Sequence, residues 1–134
     1  MNVLITPDSF KGSLTAKEVS DSIALAVKNV FPNSYIEKIP FSDGGEGAID
    51  LFNDTIQGKV IRCDVVDPYG KIINKPYFIF EKGKSAWIEL SQASGLMQIK
   101  ENEKNPLLTS TYGTGLQIKH ALKSNCKNIF LGLG

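Results

Sequence analysis

Four short polar stretches carry the side chains with which this chain could do chemistry. The first, Pro7-Asp8-Ser9-Phe10-Lys11-Gly12-Ser13, puts a carboxylate, an ammonium and hydroxyls into one loop. Lys11 can hold a phosphate or a carboxylate as a point charge. Asp8 can bind a metal ion or accept a proton. The alternative is a solvated loop whose Asp and Ser make local turn bonds. The second stretch is Asp43-Gly44-Gly45-Glu46-Gly47. Its glycines let the backbone approach a ligand closely and present N–H groups to an anion. Its carboxylates can instead serve Mg²⁺ or a substrate hydroxyl. A flexible turn with an acidic helix start gives the same pattern. The third is Thr109-Ser110-Thr111-Tyr112-Gly113-Thr114-Gly115, whose hydroxyls and glycine N–H groups suit an anion such as phosphate. Simple N-capping by Thr111 or Thr114 is the competing explanation. Glu89-Leu90-Ser91-Gln92-Ala93-Ser94-Gly95 is a further polar strand end, weak by itself.

Other matches fail. Gly83-Lys84-Ser85 ends like a phosphate-binding P-loop, but Phe78 stands where that motif needs Gly, and the run falls in a hairpin turn. Gly113-Thr114-Gly115 lacks the third glycine of a dinucleotide motif, because Ile118 occupies its place. Asn53-Asp54-Thr55 is a chance glycosylation sequon in an intracellular reading. His120 has no Cys or carboxylate at ligand spacing and is expected to be solvated. Cys63 and Cys126 are far apart, with no CxxC, so neither a disulfide framework nor a zinc site is expected; Cys63 reads as a packed thiol.

The elements that must position these loops follow from periodicity. Asn2 to Thr6 is an apolar run closed by Pro7 and reads as a buried strand. Thr15-Ala16-Lys17-Glu18 has capping-box spacing. Val19, Ile23, Ala26, Val27 and Val30 then repeat on one helical face, stopped by Pro32 and Asn33. Tyr35 to Ile39 is a second strand. Ala48, Ile49, Leu51, Phe52 and Ile56 predict a second helix, closed by Gly58. Strand, helix, strand, helix is the opening of a parallel α/β layer, so the first two loops lie beyond the carboxyl ends of strands.

The pattern changes near Gly58. Lys59 to Asp67, Pro76 to Phe80 and Ala86 to Leu90 are strands joined by tight turns, which implies antiparallel pairing. Ser91 to Ser110 reads mostly as loop. Thr114 to Lys123 is a helix with Leu116, Ile118, Ala121 and Leu122 apolar, and Asn128 to Leu131 is a last strand. That strand runs into Gly132-Leu133-Gly134, where a loop and another helix would ordinarily follow, so the sequence reads as cut and its strand edges as open to self-association.

Composition excludes several classes. Of 134 residues, 42% are hydrophobic and 22% charged, which is globular usage. Lys plus Arg is 15 and Asp plus Glu is 14, for a net charge of +1. There is no basic footprint for nucleic acid and no polybasic membrane patch. No apolar run approaches a membrane span, and the start meets Pro7 and Asp8 too soon for a signal peptide. A cytoplasmic protein is the expectation.

Taken together, the loops resemble one family. Ile5-Thr6-Pro7-Asp8-Ser9-Phe10-Lys11-Gly12-Ser13-Leu14 resembles the amino-terminal signature of bacterial glycerate kinases. Ser42-Asp43-Gly44-Gly45-Glu46-Gly47 is similar to their second signature, and Glu89 to Leu96 to their third. Asn105-Pro106-Leu107 with Thr111-Tyr112-Gly113-Thr114-Gly115 is similar to the fourth. Small departures are Ala48 for a usual Thr, Leu116 for a usual Glu and Asn125 for a usual Gly. The large departure is length, because the resemblance covers only about the amino-terminal third of such an enzyme.

The resemblance implies an α/β fold. A Rossmann-like parallel βαβα start over residues 1–57 would be followed by part of a second, inserted α/β domain over 58–134, both incomplete. It implies ATP-dependent phosphorylation of D-glycerate to 2-phosphoglycerate with Mg²⁺. By resemblance, Asp8, Lys11 and Asp43 are the catalytic candidates, with Asp43 the metal candidate. Ser9, Gly44, Gly45, Glu46, Glu89, Thr111, Gly113 and Thr114 are the substrate or phosphate contacts, and the general base is unassigned. These residues alone are expected to be inactive. The alternatives are a stand-alone binder of small acids or phosphate, and a chain that completes another.

Overall fold

Asn2–Ile5 form strand β1, Ala16–Val30 helix α1 and Tyr35–Lys38 strand β2, which lies parallel to β1 from Asn2 opposite Tyr35 to Ile5 opposite Lys38. The computed structural model describes residues Met1–Gly134, which divide into two compact units, Met1–Asp43 and Gly44–Gly134. In the first unit the expected capping box is present. The Glu18 N–H donates to the Thr15 hydroxyl (3.2 Å), and Glu18 Oε2 accepts from the Thr15 N–H (2.8 Å). At the other end the Lys28 ammonium donates to the Ser34 carbonyl (2.7 Å), placing a cation at the negative pole of α1.

The first strand is not the buried strand that its apolar run implied. Only Ile5 is buried, and Leu4 is 59% exposed. On α1, Val19 is buried, Val27 is half-buried, and Ile23, Ala26 and Val30 are exposed. A pair of strands this short offers too little surface to cover an amphipathic helix; parallel strands are normally covered on both faces.

The second unit opens with helix α2 (Ala48–Thr55) and continues with strands β3 (Gly58–Val66), β4 (Ile72–Phe80) and β5 (Ser85–Glu89). These pair antiparallel in order, as their turns implied. A short helix α3 (Leu90–Ser94), two single 3₁₀ turns, helix α4 (Tyr112–Lys123) and strand β6 (Asn128–Gly132) complete the chain. Strand β6 lies parallel to β5, giving a sheet of order β3-β4-β5-β6. Period-two alternation sorts its side chains into two packed faces. Cys63, Val65, Tyr77, Ile79, Ala86 and Ile88 pack with Ala93 of α3 and Ala121 of α4. Phe78, Phe80, Trp87 and Phe130 form aromatic contacts, joined by Phe52 of α2, which meets Trp87 edge-on at 4.8 Å between ring centroids. Because α2 packs here, the division by packing falls at Asp43 rather than near Gly58.

Other readings change in detail. Ser91–Ser110 is mostly loop and short turns, as expected, but its first residues, Ser91–Ser94, belong to α3. On α4, Leu122 is exposed and the polar Gln117 is fully buried, donating to the Pro76 carbonyl (2.8 Å). His120 is half-buried instead of solvated, hydrogen-bonded through Nδ1 to the Tyr77 hydroxyl (2.9 Å). Both thiols are buried, and burial pushes Cys63 and Cys126 above their ordinary pKa, as suits packed rather than reactive cysteines. Ser85, which ends the rejected P-loop match, is buried with its hydroxyl donating to Glu81. No helix is long and apolar enough to cross a membrane.

Candidate functional site

In the first unit the loops after β1 and β2 run side by side. The Phe41 N–H donates to the Pro7 carbonyl (2.9 Å), and the Asp43 N–H donates to Asp8 Oδ2 (3.1 Å). Asp8 Oδ1 accepts from the Ser9 N–H (2.6 Å). One half-buried carboxylate thus fixes its own loop and the start of the glycine loop. Beyond Ser9 the chain makes a tight turn, with the Phe10 N–H on the Leu14 carbonyl (2.8 Å) and Gly12 at φ 70. That turn leaves Lys11 exposed. Asp8, Ser9 and Asp43 are therefore brought together, with Lys11 on the same loop.

In the second unit the organising point is the carboxyl end of β5. Glu89 is 0% exposed. Its Oε1 accepts from the Ile49 N–H (2.5 Å), and its Oε2 accepts from Gln92 Nε2 (2.9 Å). Burial pushes the Glu89 carboxyl above its ordinary pKa. The bonds from Gln92, Ile49 and Gly47 pull it back, and nearby Asp50 adds to the rise. Glu89 stands in register with Gly132 on β6. There a Cβ on Gly132 would lie 2.0 Å from the Gly44 carbonyl oxygen, so only glycine lets these backbones cross.

The threonine–glycine run joins the same end of the sheet through α3. Thr114 is buried, and its hydroxyl shares a hydrogen bond with Ser94 (2.7 Å). A Cβ on Gly113 would come within 1.9 Å of the Val66 carbonyl, so α4 starts in backbone contact with β3. Gly44 thus crosses Gly132 beside Glu89, while Gly113 and Thr114 pack on α3, and Glu46 and Thr111 are exposed. Sequence reasoning missed Gln92 and Ser94 as ties. The signal for Gln92 was available, since it follows Glu89 by one helical turn.

No three His, Cys, Asp or Glu side chains gather at metal-ligand spacing. A cation here would have one or two carboxylates and would draw its other ligands from phosphate and water, as Mg²⁺ commonly does. A groove of about 690 Å³ lies elsewhere, lined by Asp67, Tyr69, Lys71, Gln98 and Glu103 among others, and of the motif residues it touches Asn105. Its Lys104 is paired with Glu101, and Lys100 approaches Glu103 (3.7 Å).

The Glycerate kinase family profile matches residues 3–134. The chain belongs to the glycerate kinase family. It is 44% identical over its whole length to "Glycerate kinase" of Haemophilus influenzae, and 37% identical to "Glycerate 2-kinase" of Escherichia coli K12, in each case covering 35% of the relative. Across its whole length it also superimposes on 36% of the crystal structure of a Salmonella typhimurium LT2 protein provisionally named glycerate kinase 2, with a TM-score of 0.71 and 36% identity. The chain therefore spans about a third of the length of these glycerate kinases. Asn125 follows the end of α4 at φ 66, a left-handed position that Asn tolerates.

Proposed function

We propose that this chain forms part of an ATP-dependent kinase that phosphorylates D-glycerate at the 2-hydroxyl, working in the cytoplasm. The family match over residues 3–134 carries this reading. Phosphoryl transfer needs positioning and charge neutralisation more than covalent catalysis. Lys11, exposed on its turn, neutralises a phosphate or the glycerate carboxylate. Asp8 and Asp43, joined by the Asp43 N–H, orient the hydroxyl, and Asp43 with phosphate oxygens holds Mg²⁺, which supplies charge neutralisation when bound. Glu46 supports either role. Ser9, Gly44, Gly45, Thr111, Gly113 and Thr114 supply hydroxyl and backbone contacts. The proposed division of the family fold at residue 57/58 belongs to this reading, as does self-association through β6, whose Phe130 and Leu131 are exposed.

Turnover is expected to need the remaining parts of the family fold. The test is ADP release from ATP and D-glycerate by this chain alone, and by this chain mixed with the carboxyl-terminal part of the Haemophilus influenzae relative. Glycerate-dependent turnover only in the mixture supports the proposal, and none in either sinks it. The second reading, a binder of small acids or phosphate, is favoured by the loop that Asp8 already holds in place. Saturable calorimetric binding of D-glycerate by the chain alone, with no turnover in the mixture, would select it.

A further inference from the structure

Helix α2 begins without a cap of its own. Gly47, its N-cap residue, sits at φ 92 and has no side chain to accept the first N–H groups. One of those groups is satisfied from another part of the sequence: Glu89 Oε1 takes the Ile49 N–H across 40 positions, and the Gly47 backbone favours the charged form of the same carboxylate. A helix amino terminus with free N–H groups attracts an anion. Here the anion is built in, fully buried at the end of β5 and held from its other oxygen by Gln92. The turn that it grips, Gly44–Gly47, also crosses Gly132 in backbone contact, so it is clamped from both sides.

We propose that Glu89 is a positioning residue: its carboxylate replaces an external anion at the start of α2, locks the Gly44–Gly47 turn in its working shape, and does not itself touch substrate. The proposal rests on the kinase reading only for what the turn is for; the clamp is a property of this chain. It also moves the phosphate contact of the turn away from the Ile49 N–H, which Glu89 already occupies. The charged group that faces Glu89 from α2 is Asp50, and α3 contributes the neutral Gln92.

The test is amide NMR of the whole chain across pH. In the wild type, the Gly47 and Ile49 amide shifts should titrate together, with a midpoint above the ordinary glutamate range. In E89Q that titration should vanish while the two amides stay protected. In E89A, their hydrogen exchange should rise roughly tenfold or more, while Phe78 and Ile88 stay protected. Should E89A fail to fold, Gln92→Leu gives an independent reading. It removes a bond to the ionised form, so the Ile49 midpoint should move up. Amide shifts that ignore the ionisation of Glu89, or a midpoint unmoved in Q92L, would overturn the clamp. Addition of D-glycerate gives a separate arm: displacement of the Glu89 carboxyl signal would show substrate contact and overturn the positioning role. Loss of turnover in the mixed enzyme would fault the kinase reading and leave the clamp standing.

Discussion

Each unit closes a helix amino terminus with a glutamate, and the two do it in opposite ways. In the first unit, Glu18 lies on α1 itself, exposed to water, and shares a capping box with Thr15. Its hydrogen bonds to Thr15 hold its carboxyl below the ordinary pKa. In the second unit, Glu89 comes from a strand, is buried, and has its pKa pushed up by that burial. The local cap needs only neighbours in sequence and forms on a thin, partly uncovered layer. The distant cap needs a finished core to hold it. Where the chain builds a core on both faces of a sheet, it can bury a carboxylate and use it as a fixed part of the framework. Where it does not, charge stays at the surface.

The largest test of that contrast lies in packing. Ile88 is fully buried in the cluster under α4, and Ile88→Ala should cost about 2–5 kcal/mol in urea unfolding of the second unit. Leu4 stands on the sheet of the first unit but is 59% exposed, so Leu4→Ala should change stability by less than about 0.5 kcal/mol. Equal effects would mean that the first unit is packed as tightly as the second.

Glycines of α4 give the next contrast, within a single helix. At Gly113 a Cβ would meet the Val66 carbonyl at 1.9 Å, so Gly113→Ala should destabilise by about 1–3 kcal/mol through overpacking. At Gly115 nothing lies within 4 Å, and Gly115→Ala should stabilise by roughly 0.5–1 kcal/mol through helix propensity. Thermal unfolding of the pair checks the sign. If both substitutions stabilise, α4 does not start against β3.

How far such features could be read in the sequence follows from how far apart their partners lie. The capping box was legible because Thr15 and Glu18 are a turn apart. The strands β3 to β5 were legible because their turns are short and their alternation regular. Helix α4 starts at Tyr112 rather than at the expected Thr114, and no side-chain cap from Thr111 marks that start. Gln117 is polar by type and Leu122 apolar, yet the partner that makes Gln117 a core residue, the Pro76 carbonyl, is on another element. The loop residues of the candidate site could be read as types with chemical use. That Glu89 faces inward to the backbone of α2 could not, because its partner Ile49 lies 40 positions away on a separate element.

Removing the local cap sharpens the comparison from the other side. Thr15→Ala should loosen α1 by about 1 kcal/mol, seen as faster amide exchange over its first turn, with the second unit unchanged. Spread of the effect into β5 or α4 would show that the units do not behave separately.

The smallest effects are in pH, and their signs should oppose. Glu18 has a lowered pKa in the folded chain, so its contribution is present above the ordinary glutamate range and is lost as pH falls through the lowered value. Glu89 has a raised pKa, so its contribution is full below the ordinary range and is lost as pH rises through the raised value. Acidification from neutral pH should therefore first protonate Glu89 and favour the second unit, and only later weaken α1. Comparing each Glu→Gln variant with the wild type, by residue-resolved exchange across the acid range, separates the two. In E18Q the acid-side loss at α1 should shrink, and in E89Q the acid-side gain in stability of the second unit should disappear. A Glu89 that behaved like Glu18, stabilising its unit more as pH rose, would mean that water reaches its carboxylate, and the distinction between a surface cap and a buried one would go with it.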